Sequence, residues 1–224
     1  MTASHDSLPE YAELTCCSNF SFLRGASHPE ELVQHAAQLG YRALALTDAC
    51  SLAGIVRAHG AAKATGLPLI VGTGIRLHDG PHLTLLARSL EGYRTLCRVI
   101  THARRAGRKG QYHIGSQDLL RPEWAGLPDC EVLWRLEPTL PGGDDPGDRR
   151  WANWLSSSIA PDRLHLAVMF ARTPEDPVLR ERAGKLQADS GIPILACGDV
   201  HMHARGRRAL QDVLTALRRK CPVA

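Results

Sequence analysis

The sequence predicts an α/β domain in which parallel strands are joined by helical crossovers. Three observations predict it: apolar runs of strand length alternate with longer amphipathic runs, the connections between them are short, and polar residues suited to chemistry fall just after strands. With 224 residues, 44% of them hydrophobic and 22% charged, the chain suits one globular domain better than two small ones.

Residues 1–10 read as a lead-in that precedes the domain, polar and without the apolar core of a signal peptide. Tyr11–Cys17 is a first strand. Ser27 then suits a helix cap, Pro29 the first turn and Glu30 the capping-box position, and Gly40 ends the helix after an apolar face of Leu32, Val33, Ala36, Ala37 and Leu39. A strand over Tyr41–Thr47, a helix over Gly54–Thr65 closed by Gly66, and a strand over Leu67–Thr73 complete a β-α-β-α-β run. His82–Ala87 is the next strand and Leu90–Ala106 a helix with Tyr93, Leu96, Cys97 and Ile100 on one face. Residues 107–163 carry the weakest pattern, basic and irregular from Gly107 to Trp124, with Pro138–Asp148 read as a loop. Alternation resumes with strands over Leu164–Phe170 and Ile192–Cys197 and helices over Pro177–Ser190 and Arg205–Lys220. The single domain spans 11–220, and a barrel of about seven βα units fits this count better than an open sheet.

Composition narrows the function. A net charge of +4 permits contact with nucleic acid without arguing for it, and aromatics at 5% disfavour a base-stacking platform. The basic excess gathers at Arg104, Arg105, Arg108 and Lys109, and again at Arg205, Arg207, Arg208, Arg218, Arg219 and Lys220. The ordinary reading of such clusters is a solvated face; the functional one is a DNA phosphate contact. Seven cysteines without a CxxC pair point to reduced thiols packed as small hydrophobes. No apolar run approaches a membrane span, so a cytoplasmic location is expected.

Four segments carry a resemblance. They are Tyr11-Ala-Glu-Leu-Thr-Cys-Cys-Ser-Asn-Phe-Ser-Phe-Leu-Arg-Gly25, Ala45-Leu-Thr-Asp-Ala-Cys-Ser-Leu-Ala-Gly54, His82-Leu-Thr-Leu-Leu-Ala-Arg-Ser-Leu-Glu-Gly-Tyr-Arg-Thr-Leu96 and Cys197-Gly-Asp-Val-His-Met-His203. In order and spacing they resemble the PHP (polymerase and histidinol phosphatase) domain that begins bacterial C-family DNA polymerases, and most of all its error-prone, translesion branch. The resemblance implies a PHP-type distorted (β/α)7 barrel with up to three metal ions at the strand ends. In active members those ions support phosphoester hydrolysis: clustered divalent cations polarise phosphoryl oxygens and generate hydroxide near neutral pH.

Against that ligand set the chain departs position by position. The opening His-x-His pair falls on Thr15 and Cys17, the carboxylate that follows on Arg24, the family's Thr-Asp-His on Thr47-Asp48-Ala49, and the bridging glutamate on Gly74. The strand near Leu164–Phe170 offers Val168, Met169 and Phe170, which are poor donors for a hard ion. The resemblance leaves His82, Asp199 and His201 at metal positions, with Asp48 behind them. Each has a plainer reading: a packed histidine at 82, a helix start at Asp48, and loop hydrogen bonds at Asp199 and His201. Arg24 is expected to act as an internal counter-ion to Asp48 or Asp199 in place of lost metal charge.

The resulting expectation is a degenerate, catalytically inactive PHP domain serving as the structural N-terminal module of an error-prone DNA polymerase. No cofactor is expected here beyond at most one residual Zn²⁺ or Mn²⁺, Mg²⁺ belonging to polymerase domains that this chain lacks. Those domains and the DNA phosphate backbone are the expected partners. The alternative is an active metal-dependent phosphoesterase or 3′–5′ exonuclease built on Asp199, His201 and His82. A histidinol-phosphatase-like enzyme fits less well, because Glu91-Gly-Tyr-Arg-Thr-Leu96 is polymerase-like.

Overall fold

The computed structural model describes residues 10–137 and 146–223. Most of the expected lead-in, and residues 138–145 of the expected loop, lie outside them. The strands are β1 (Ala12–Cys16), β2 (Ala43–Leu46), β3 (Leu69–Arg76), β4 (His82–Ala87), β5 (Cys130–Arg135), β6 (Leu164–Val168) and β7 (Ile194–Ala196). The helices are α1 (Pro29–Gln38), α2 (Ile55–Thr65), α3 (Leu90–Ala106), α4 (Pro146–Ser158), α5 (Asp176–Ser190) and α6 (Arg208–Arg219). All seven strands form one sheet in chain order. Beyond β7 the chain returns to β1, where Cys17 N donates to Val200 O at 2.9 Å and Val200 N to Thr15 O at 2.9 Å. That return curls the sheet into the expected distorted (β/α)7 barrel.

The sheet is not wholly parallel. β1, β2 and β3 are parallel to one another, as are β5, β6 and β7, but β4 runs antiparallel to both its neighbours. Only Leu77–Pro81 separates β3 from β4, too few residues for a helical crossover, so a hairpin is the available connection. Two elements correct the reading of the middle region as irregular. β5 occupies Cys130–Arg135, and α4 begins at Pro146, inside the stretch expected to be loop.

Strand alternation sorts side chains between two layers. On β4 and β5, Leu83, Leu85, Val132 and Trp134 face outward into a core shared with Leu96, Val99 and Ala103 of α3, and with Leu155 and Leu179. A second outer core joins Leu44 and Leu46 to α1 and α2. Ala45, Leu86, Leu133 and Ala167 form an inner cluster. Helix α3 starts cleanly because Ser89 Oγ accepts from Glu91 N at 3.1 Å and Gly92 N at 3.3 Å. Gly92 also lets the Asp129 carbonyl approach, since a Cβ there would lie 2.1 Å from it.

The cap of α1 sits one residue later than expected. His28 is the capping residue, and its N–H donates to Glu31 Oε2 at 2.8 Å. Glu30 instead pairs with Arg57 across α2 at 2.5 Å. Ser27 is freed to hold His203, accepting from His203 N at 2.9 Å and meeting its Nδ1 at 2.8 Å. The histidine thereby gains a partner that its sequence surroundings do not announce.

Candidate functional site

The strand ends form a mouth, and its residues come from segments far apart in sequence. β1 and the residue after it deliver Thr15 and Cys17, the turn after β2 delivers Asp48 and Ala49, and β3 delivers Gly74. Ala49 bridges to Gly74, and a Cβ on Gly74 would lie 3.3 Å from His82 Nε2. Arg76, His82 and Arg135 are direct register partners across β3, β4 and β5. The segment after β7 brings Asp199 and His201. The positions at which the family resemblance places metal donors therefore do meet in space, around one arginine that the sequence reading passed over.

That arginine is Arg135. Its Nη2 lies 2.6 Å from Asp199 Oδ1 and 3.5 Å from Met169 Sδ, and its side chain is 15% exposed. The other carboxylate oxygen, Asp199 Oδ2, lies 3.2 Å from His201 Nε2. His201 Nδ1 is 3.1 Å from Cys17 Sγ, and Asp199 N donates to Thr15 Oγ1 at 3.0 Å. Asp199 takes a left-handed backbone with φ of +50°, which turns its carboxylate toward this cluster.

The electrostatics follow from the contacts. Burial pushes the Asp199 carboxyl up, but the hydrogen bond with His201 and the charge of Arg135 outweigh it and bring it down to about 2. The hydrogen bonds to Asp199 and to Cys17 lift His201 to about 10 against its burial. Both ring nitrogens of His201 therefore have protein partners, Asp199 on one side and Cys17 on the other. Burial, with Arg135 and Arg76 close by, pushes His82 down to about 3. His82 is a neutral imidazole among cations, its Nδ1 3.8 Å from Glu137, and Glu137 is itself bonded to Arg76.

The expected role of Arg24 is corrected. Arg24 is exposed, and neither carboxylate pairs with it. Asp48 faces the loop after β1, where it accepts from Ser18 N at 2.8 Å, Ser18 Oγ at 2.8 Å and Ser21 Oγ at 2.6 Å. Burial outweighs these bonds and raises its carboxyl above the usual range. Gly25 completes the clamp, since a Cβ there would sit 2.2 Å from Ser18 O. Asp48 therefore fixes the loop after β1.

A further acidic residue was missed altogether. Glu13 is 1% exposed, and its Oε1 accepts from Thr15 N at 2.7 Å, Thr15 Oγ1 at 3.0 Å and Gly198 N at 3.2 Å. Its Oε2 accepts from Tyr11 Oη at 2.9 Å. Burial and the Glu13 charge push the Tyr11 hydroxyl far above the ordinary tyrosine range. The unfolded chain loses that proton first, so this contribution to stability is whole below about pH 10 and fades as pH rises further. Tyr11→Phe is expected to flatten the alkaline fall in urea-unfolding free energy relative to wild type. An unchanged slope would contradict the assignment.

The donor set does not suit a metal cluster. Zn²⁺ or Mn²⁺ needs convergent neutral imidazoles and free carboxylates. Here Asp199 is bound to a guanidinium, His201 has Asp199 and Cys17 at its two nitrogens, and Gly74 has no side chain to bridge from. Among the described residues, no three His, Cys, Asp or Glu side chains are grouped to hold an ion.

A family model described as the PHP domain matches residues 13–131, more than half of the chain. The chain belongs to the PHP family. This PHP domain is 52% identical over 214 residues to an error-prone DNA polymerase of Pseudomonas aeruginosa, a match covering 96% of this chain and 20% of that one. It is also 52% identical over 222 residues to an error-prone DNA polymerase of Dechloromonas aromatica, covering 97% and 20%. The chain thus spans about one fifth of the length of these curated relatives. Two solved structures share the fold at low identity. One is a putative metal-dependent phosphoesterase from Bifidobacterium adolescentis, with a TM-score of 0.59, 16% identity and 90% coverage of each chain. The other is an amidohydrolase from Chromobacterium violaceum, with a TM-score of 0.62, 15% identity and 86% and 88% coverage.

The basic clusters separate on inspection. Arg104 donates to the carbonyls of Cys50 at 3.0 Å and Ala49 at 2.9 Å, so it fixes the turn after β2. Arg207 is bonded to Glu31, and Arg208 lies 3.6 Å from Asp212. Arg105, Arg108, Lys109 and Arg205 are exposed. No helix among the described residues is long and apolar enough to cross a membrane.

Proposed function

We propose that this PHP domain is a metal-free scaffold, the N-terminal module of an error-prone polymerase working in damage-tolerant DNA synthesis in the cytoplasm, and that its mouth hydrolyses no phosphodiester. The observation that carries the reading is the Arg135–Asp199 contact at 2.6 Å. Asp199 stands where the family resemblance places a ligand, and a guanidinium that stays charged at any working pH takes the position a cation would hold. The two charges satisfy each other, and a divalent ion would have to displace Arg135 while approaching Arg76. Nucleotide transfer, with its Mg²⁺, then belongs to the remainder of the parent chain.

The test is turnover of a generic phosphodiester with Zn²⁺ or Mn²⁺ added, read beside Asp199→Ala. Wild type and variant are expected to be equally silent. Metal-dependent turnover that vanishes in Asp199→Ala would establish the phosphoesterase alternative instead.

DNA phosphate is the second partner proposed, through exposed Arg105, Arg108 and Lys109 or, alternatively, through the Arg205–Arg208 segment. Three contacts at the first patch would weaken binding about 40-fold between about 50 and 200 mM salt, regardless of base sequence. Binding measured by fluorescence anisotropy that held steady over that range would remove this contact.

A further inference from the structure

Helix α6 repeats apolar residues at Leu210, Val213, Leu214 and Leu217, the spacing of a helix face made to be covered. The domain does not cover it. Leu210 and Val213 are each 42% exposed and Leu217 is 60% exposed, while Ala216 is the one buried residue of the helix. The apolar surface continues beyond the helix. Phe22, 83% exposed, lines a depression of about 250 Å³ together with Leu210, Leu214 and Arg207.

This surface is presented rigidly. Phe22 follows Ser21, whose hydroxyl is tied to Asp48 at 2.6 Å, and the loop is pinned again at Gly25. A loop whose backbone is already tied down loses little further entropy when a partner arrives. A contiguous apolar patch with a polar rim marks an interaction surface. The rim is basic, with Arg205, Arg218, Arg219 and Lys220 exposed around it.

We infer that the α6–Phe22 face is the seat of the remaining polymerase domains, which present to it an apolar surface bordered by carboxylates. The inference rests on the reading of this chain as a polymerase module. The matched region is only 20% of the relatives' length, so about four fifths of such a chain is joined to this domain. A tethered partner meets its site at high effective concentration, so a face of this modest extent suffices. A second copy of this chain is disfavoured, because a two-fold contact through α6 would set the basic rims against each other.

The test compares the isolated chain with a complete polymerase in which this chain replaces the matching region of the 52%-identical Pseudomonas aeruginosa relative. Amide hydrogen exchange across α6 is the readout. Exchange is expected to slow at least about tenfold in the complete polymerase, and Leu217→Glu or Phe22→Asp is expected to abolish that slowing. The same substitutions should leave the melting temperature of the isolated chain unchanged, since both side chains are exposed. Val56→Glu, at an 80% exposed position on α2, should leave the slowing intact. The inference is overturned if α6 exchanges equally fast in both proteins, if the substitutions leave the slowing unaltered, or if the isolated chain sediments as a dimer that Leu217→Glu dissociates. Primer extension separates this failure from failure of the parent reading. A chimera that extends primers with α6 unprotected removes only the face, whereas one that extends none while the relative does counts against the module reading itself.

Discussion

Replacing Arg135 with methionine is expected to destabilise the domain by about 2–3 kcal/mol in urea unfolding at neutral pH. Removing one member of a buried ion pair costs about 3–5 kcal/mol, because the remaining charge stays desolvated without its partner. The cost falls at or just below the bottom of that range here, since the Asp199 side chain is 32% exposed and keeps His201 at 3.2 Å. The same logic fixes the result of the double substitution. Asp199→Asn removes the stranded charge, so Arg135→Met with Asp199→Asn is expected to lie within about 1 kcal/mol of wild type. A single variant as stable as wild type would mean the pair is a loose surface contact. A double variant as weak as the sum of the singles would mean the two side chains act separately.

Glu13→Ala is expected to be more damaging, at about 3–4 kcal/mol. The carboxylate is the acceptor for Thr15 N, Thr15 Oγ1, Gly198 N and Tyr11 Oη, all in a buried setting. Each buried donor left without an acceptor costs about 1–3 kcal/mol, reduced where the cavity relaxes or admits water. Glu13→Gln is expected to cost about half as much, because one oxygen survives while the amide nitrogen turns a donor toward a donor. The network joins β1 to the segment carrying Asp199, so its loss also loosens the mouth. Gly198 belongs to the same device: a Cβ there would come 2.1 Å from Glu13 Oε2. Unfolding curves for Glu13→Ala and Glu13→Gln that fall within about 0.5 kcal/mol of wild type would contradict this account, since that is the range of an ordinary surface change.

Much of the fold was legible because its signals are local. Helix α3 occupies the residues expected, Leu90–Ala106, with a serine cap and a glycine after it, but its buried face is rotated to Thr95, Leu96, Val99 and Ala103, leaving Tyr93 exposed. β4 also matches, at His82–Ala87. Its direction was not read, although the short Leu77–Pro81 connection held the clue. β5 escaped because its alternation is interrupted by Glu131 and Arg135, charges that make a half-buried strand look like loop. α4 escaped because it begins among the prolines, glycines and aspartates that ordinarily mark a turn.

The candidate site was legible only in part. The resemblance located Thr15, Cys17, Gly74, His82, Asp199 and His201, and the strands bring these together. It could not say which side chain pairs with Asp199. Arg24 was the natural choice because it stands at a ligand position, yet it is exposed, and Arg135 pairs with Asp199 from a strand that had not been read. Long-range pairing of this kind leaves no local pattern. Glu13 was hidden for a related reason: three of its acceptor contacts are with its own strand and with Gly198, and nothing in the spacing of Tyr11, Glu13 and Thr15 announces a buried carboxylate.

Elemental analysis of the purified chain, grown with added zinc and manganese and never exposed to chelator, tests the central claim most directly. With Arg135 seated on Asp199 and both nitrogens of His201 engaged, the metal content is expected to fall far below one ion per chain. Two or three ions held through gel filtration would contradict the account.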